Sequence, residues 1–210
     1  MTRCIICGAD ALIKRHFSGE NYCLKHAKEK LIISKFREVK NKSEKLGPNK
    51  TYIVVGRYPP EYDFLTDIID KYFSNFTTDI EISNDYHSPN FTYESKKIIL
   101  EYTRIEELIK RENALVIVIK TADLIAHDIL FLILEKKFKL LESLKLLDNR
   151  KLILPLKNLF QRELSLILGS KPEPYYYCST YDFIQKTMNT RPTLIYSILN
   201  YTKNLSLIKE

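Results

Sequence analysis

"ALVIVIK", residues 114 to 120, decides the fold. Its six-residue apolar, largely β-branched run is far short of the roughly 20 residues that span a bilayer. It is also too continuous for a strand with one wet face. It predicts a strand buried on both sides, as at the centre of a parallel sheet. Outward from it, "TYIVVG" (51–56), "TDIEIS" (78–83), "KLILP" (151–155) and "YYYC" (175–178) predict further strands. Helical spacing predicts helices over Glu61–Phe73, Lys96–Asn113, Asp123–Leu147 and Asn158–Leu168, and a closing helix through "TLIYSILNYTKNLSLI". Strands alternating with helices predict βαβ units: an α/β fold with an open, mainly parallel sheet.

Ahead of this pattern stands "CIICGADALIKRHFSGENYCLKH", residues 4 to 26, with three of the chain's four cysteines. Cys4-x2-Cys7 and Cys23-x2-His26 each place two ligands across one tight turn, and two such turns close a tetrahedron. Gly8 suits a turn that needs positive φ. Thiolate-rich ligation favours zinc, with an iron–sulfur cluster as the alternative. Four protein ligands leave no position for a catalytic water, so the site is expected to be structural. His16 is the alternative fourth ligand, but it breaks the paired spacing. From Leu24 to Lys45 follows a Lys/Glu-rich helix with Ala27, Leu31, Ile32 and Phe36 at helical spacing, ended by Leu46–Asn49. The expected organisation is a zinc ribbon or knuckle over 1–28, a connecting helix over 29–48 and the α/β domain over 49–210. Cys7→Ser is then expected to unfold the knuckle and spare the domain.

The 33 Lys and Arg against 26 Asp and Glu give a net charge of +7 and favour a polyanionic partner such as RNA. Mean hydropathy is −0.22. With neither a membrane-spanning run nor a secretory leader pattern, the expectation is a cytoplasmic protein that meets no membrane. The loop after the first strand, where open α/β sheets cradle phosphates, reads "GRYPPEYD" (56–63). Two prolines carry no N–H and only Gly56 allows close backbone approach, so a pyrophosphate should bind poorly there. In "TADLIAHD", Asp123 and His127 stand four apart, near Asp128. They read as helix-terminal acids with an ordinary histidine, acid–base work or a weak metal site being the alternative. His87 reads as a solvated loop residue and Cys178 as a buried inert thiol.

"CIICGADALIKRHFSGENYCLKHAKEKL" resembles the N-terminal zinc finger of the archaeal and eukaryotic tRNA 2-thiolation enzymes. "ALVIVIKTADLIAHDILFLILEK" is similar to the strand, motif and long helix of that family. "LILPLKNLFQRELSLIL" aligns Pro155, Leu156 and Glu163 with another family segment, and "RPTLIYSILNYTKN" looks like its final helix. The resemblance implies a PP-loop ATP pyrophosphatase fold, Rossmann-like in plan. Active members carry an SGGxDS loop and cysteines that handle sulfur or hold an iron–sulfur cluster. Here "GRYPPEYD" replaces SGGxDS, residues 27 to 177 contain no cysteine, and only Cys178 falls near where a catalytic cysteine would.

The resemblance therefore implies a degenerate member: a non-catalytic subunit paired as a heterodimer with a catalytic paralogue whose PP-loop is intact. It implies tRNA as the nucleic-acid partner and a ubiquitin-like sulfur carrier as a further one. Lys14, Arg15, Lys35, Arg37 and Lys40 are the expected phosphate contacts, and Phe17 or Tyr22 the residue expected to stack on a base. The alternatives are an active nucleotide-dependent thiolation enzyme with a divergent loop and a zinc-ribbon DNA-binding regulator.

Overall fold

The computed structural model describes residues 2–15, 18–44, 51–56, 67–68, 71, 78–82, 91–112, 114–144, 150–170 and 179–204. A two-stranded antiparallel hairpin, β1 (Ile13–Lys14) and β2 (Asn21–Tyr22), precedes three helical segments that run on without a break. These are α1 (Leu24–Ala27), a π-helical turn (Lys28–Ile33) and α2 (Ser34–Glu44). The wider π turn explains how Ala27 and Ile32, five residues apart, are both fully buried, followed by Phe36 and Val39.

The larger sheet contains β3 (Thr51–Gly56), β4 (Thr78–Ile82), β5 (Ala114–Ile119) and β6 (Leu152–Ile153) in the order β4-β3-β5-β6, every pairing parallel. Because the chain steps from β3 outward to β4 and then back to β5 on the other side, the end of β3 is the topological switch point. The loop from 57 to 63 lies outside the described residues. The remaining elements are α3 (Phe91–Lys110), α4 (Ala122–Leu134), α5 (Phe138–Leu144), α6 (Gln161–Leu168), α7 (Ser179–Thr190) and α8 (Pro192–Asn204). Among the described residues no helix is long and apolar enough to cross a membrane.

β5 has the two buried faces that its composition demands. Ala114, Val116 and Val118 pack in one core with residues of α3, α4, α7 and α8, such as Tyr102, Ile129, Ile184 and Ile195. Leu115, Ile117 and Ile119 pack in a second core with Leu156, Leu159, Leu164 and Ile167. That second core also contains Ile13, Tyr22, Ala27, Ile32, Phe36 and Val39. The N-terminal hairpin and its helix thus help to cover one face of the sheet. Segments that the sequence pattern sets apart share a core with the rest.

Four details depart from the sequence reading. The helix expected over 123–147 is two, because the chain reverses at Glu135–Lys137. There the Lys136 N–H donates to the Ile133 carbonyl (3.0 Å) and the Lys137 N–H to that of Leu132 (2.8 Å). Lys136 takes φ +56° to close this turn, and no glycine or proline marks it. The strand expected at 151–155 is in register with β5 only at Leu152 and Ile153, the Val116 amide donating to the Lys151 carbonyl at 2.8 Å, and Pro155 has no N–H to extend it. The helix expected from Asn158 starts at Gln161, where the Glu163 carboxylate accepts from the Phe160 amide at 2.8 Å. Helix α7 was not anticipated, while the strand expected at 175–178 lies outside the described residues, as does most of 61–73.

Candidate metal centre and its surroundings

The hairpin folds the two ligand pairs toward each other. The Gly8 amide donates to the Cys4 carbonyl at 2.9 Å with Gly8 at φ +73°, and the Ile5 amide donates to the Asn21 carbonyl at 3.0 Å. Cys23 lies just before α1 in extended backbone, and its carbonyl accepts from the Ala27 amide, which brings His26 round in the first helical turn. The ligand atoms of Cys4, Cys7, Cys23 and His26 consequently lie within 4.8 Å of one another.

Three of the six separations are those of a single tetrahedral ion. Metal–sulfur bonds near 2.3 Å and a metal–nitrogen bond near 2.0 Å imply sulfur–sulfur edges of about 3.8 Å and sulfur–nitrogen edges of about 3.5 Å. The Cys7 and Cys23 sulfurs are 3.8 Å apart. His26 Nδ1 stands 3.6 Å from the Cys4 sulfur and 3.4 Å from that of Cys23. A four-iron cluster puts an iron behind each ligand and needs ligands spread much further apart. The four residues could therefore hold one metal ion, with no coordination position left for substrate. His16, the alternative ligand, lies outside the described residues.

The electrostatics suit a cation. Burial opposes the Cys4 thiolate, yet amides of Cys23, Ile6 and Cys7 bring its pKa down to about 6. The Cys7 thiol has the Ala9 amide in favour of its thiolate, but burial and the neighbouring thiols of Cys4 and Cys23 push it up. A divalent ion relieves that crowding of sulfur charge.

The cations expected to face RNA do not form one set. Lys14 is exposed on β1. Lys35 pairs with Glu38 at 2.7 Å and Arg37 with Glu29 at 2.6 Å, both pairs solvent-accessible. Lys40 is half-buried and also has an interaction partner. Such exposed pairs hold with only about 0–1 kcal/mol and exchange readily for a phosphate. Arg15 is different. It is buried, donates to Glu163 at 2.9 Å and to the Asn158 carbonyl, and its guanidinium is not available to RNA. Tyr22 is corrected on the same ground: at 5% exposure it belongs to the core and cannot stack on a base. Phe17 lies outside the described residues, as do His87 and Cys178.

Asp123, His127 and Asp128 are wholly buried. Asp123 accepts from the Gln161 amide at 3.0 Å and the Gln185 side chain at 3.3 Å, so it ties the start of α6 to α4. His127 meets Asp128 rather than Asp123, at 3.2 Å, and packs edge-on against Phe131. Asp128 also accepts from Tyr102 at 3.1 Å and pairs with Lys120, which lies 2.8 Å from Glu101. Asp128, His127, Lys120, Glu101 and Tyr102 thus form a buried network, where the sequence reading has helix-terminal acids and an ordinary histidine. The network itself was missed, although its signal stands in the sequence: a lysine directly after the most apolar strand must carry its counter-charge inside.

No protein-family model matches the sequence, and no curated protein matches it. The structure is similar to that of the U34-tRNA thiolase NcsA from Methanococcus maripaludis, solved with its [4Fe-4S] cluster. The TM-score is 0.58 at 17% identity, over 100% of this chain and 89% of the thiolase. At that identity the likeness establishes the fold: the open α/β architecture of a tRNA thiolase, with an N-terminal Cys/His cluster that fits a zinc knuckle.

Proposed function

We propose that this chain is a non-catalytic subunit of a tRNA 2-thiouridine-forming complex in the cytoplasm, bound to tRNA and to a catalytic paralogue. The whole-length likeness to a tRNA thiolase carries the connection to tRNA thiolation. The non-catalytic role rests on residues. "GRYPPEYD" at the switch point has the wrong chemistry for a phosphate cradle, with one glycine and two prolines where amides are needed. A [4Fe-4S] cluster is held by several thiolates, and beyond Cys4, Cys7 and Cys23 the chain has Cys178 alone.

In this reading Cys4, Cys7, Cys23 and His26 hold zinc, favoured by three sulfurs and one nitrogen at tetrahedral spacing. The ion supplies a fixed fold for the hairpin. Lys14 on that hairpin and Lys35, Arg37 and Lys40 on the helix behind it meet tRNA phosphates. Arg15 and Glu163 keep the hairpin seated on the α/β unit. A ubiquitin-like sulfur carrier is a further partner of the complex.

The reading is tested by expressing the chain with a family member that has SGGxDS and measuring co-purification and tRNA binding. A stable complex is expected, with tRNA affinity that falls as salt rises and weakens when Lys14, Lys35, Arg37 and Lys40 are changed to Gln. No complex, and no tRNA affinity with or without the paralogue, overturns it. Micromolar binding of an ATP analogue to the isolated chain contradicts the reading of the loop.

A further inference from the structure

Where α4 gives way to α5, the turn at Glu135–Lys137 brings Lys136, Lys137 and Lys139 beside α3. Between α3 and α5 they border a cavity of about 480 Å3 whose apolar lining includes Ile99, Phe138 and Leu140. Phe138 in the lining is 46% exposed, and Leu100 and Leu134, close in the chain to lining residues, are 68% and 64% exposed. The acid in the lining, Glu106, already pairs with Lys110 at 2.9 Å. Among the described residues Lys136, Lys137 and Lys139 have no carboxylate partner, as is also true of Lys14, Lys25, Lys30, Lys96 and Lys186, but these three stand together at one cavity, with exposed Glu135 and Glu142 near them in the chain. Lys136 also takes a position that glycine fills with less strain.

We infer that this groove is a docking site for an acidic segment of a protein partner, seated by an apolar side chain. The cavity has the size of an ordinary ligand pocket, roughly 300–1,000 Å3, and admits one or two apolar side chains. Unpaired lysines beside it complement carboxylates flanking such an anchor, and steer the encounter. Exposed Phe138, with Leu100 and Leu134 close to lining residues in the chain, offers apolar surface of the kind a protein partner buries, and among the described residues no arginine lines the groove. The groove is built from elements that supply nothing to the metal cluster, so its test is independent of the tRNA reading.

The test uses the full chain and fluorescence anisotropy of a labelled short peptide in which Asp and Glu flank a Leu-Phe pair. Its controls are the Asn/Gln twin, an acidic peptide with Ser in place of Leu and Phe, and an oligouridine of equal length. The acidic Leu-Phe peptide should bind saturably and better than the other two peptides. The triple variant Lys136→Gln/Lys137→Gln/Lys139→Gln should lose roughly tenfold in affinity, three exposed ion pairs of modest strength acting together. Leu100→Ser, at an exposed helix position, should weaken binding while the melting curve stays in place. Equal binding of the neutral twin, absence of saturable binding, or oligouridine binding that displaces the peptide and needs the three lysines overturns the inference.

Discussion

Arg15 and Glu163 are 148 residues apart in sequence and 2.9 Å apart in the fold, both side chains under 10% exposed. Burial pushes the Glu163 carboxyl up, while the Arg15 guanidinium pulls it down. Glu163 also accepts from the Phe160 amide, so one carboxylate caps α6 and anchors the hairpin. Removing one partner leaves a buried charge uncompensated. Arg15→Met should therefore cost about 3–5 kcal/mol in urea unfolding. Arg15→Met combined with Glu163→Gln should recover much of that loss, because Gln still accepts from the Phe160 amide. A neutral Arg15→Met would return Arg15 to the solvent-facing role expected from sequence.

Metal removal should reach the sheet. Ile13 and Tyr22 of the hairpin share a core with Leu115, Ile117 and Ile119 of β5, which argues against a knuckle that unfolds by itself. Losing their burial at about 1.5–3 kcal/mol each, at about 2–4 °C per kcal/mol, lowers the melting midpoint by on the order of 10 °C. Chelation and Cys7→Ser should both give this fall in a single transition, seen by calorimetry with zinc content measured alongside. Two separate transitions, or a midpoint that does not move, contradict the shared core.

Lys136 closes a helix-terminal turn at φ +56°. Left-handed backbone costs an L-residue about 1–2 kcal/mol, and glycine gives part of that back as unfolded-state entropy. Lys136→Gly should stabilise the chain by about 0.5–1 kcal/mol, raising the melting midpoint by a few degrees. Destabilisation would mean that the lysine side chain supports the turn.

Asp123 sets a pH dependence. Burial pushes its carboxyl up, against hydrogen bonds from the Gln161 amide and the Gln185 side chain that favour the ionised form. A raised acid pKa means that the folded state binds more protons than the unfolded one above the ordinary value of about 3.9. Stability from this group is thus present below that value and lost as pH rises through the folded pKa. Asp123→Asn removes the effect, and the Gln185 amide can turn over to donate or accept. The stability of the Asn variant relative to the parent should rise with pH and level off once Asp123 is ionised in the fold. A loss of about 1–3 kcal/mol at neutral pH, as for a broken buried hydrogen bond, would contradict this.

The legible parts of the sequence were the local ones. The four candidate metal ligands announce themselves by spacing, and β5 by an apolar run that needs cover on both faces. What escaped depends on distant partners or on unmarked backbone. Arg15 looked like one more cation in a basic hairpin, because nothing near it in sequence points to Glu163. Tyr22 reads as a stacking residue from its neighbours in sequence, and only the fold places it in a core with Leu115, Ile117 and Ile119. The α4–α5 break carries no glycine or proline, so its apolar residues read as one helix. Polar Ser179–Thr190 offered too weak an apolar stripe to be read as α7, of which Ile184 and Thr187 are buried.

Mass spectrometry of tRNA nucleosides from a native-host strain lacking this chain tests the central claim most directly. The account predicts loss of 2-thiouridine, restored by the parent chain and also by a variant with Cys178→Ser, since this subunit leaves the chemistry to its paralogue. Unchanged 2-thiouridine in the deletion strain would contradict it.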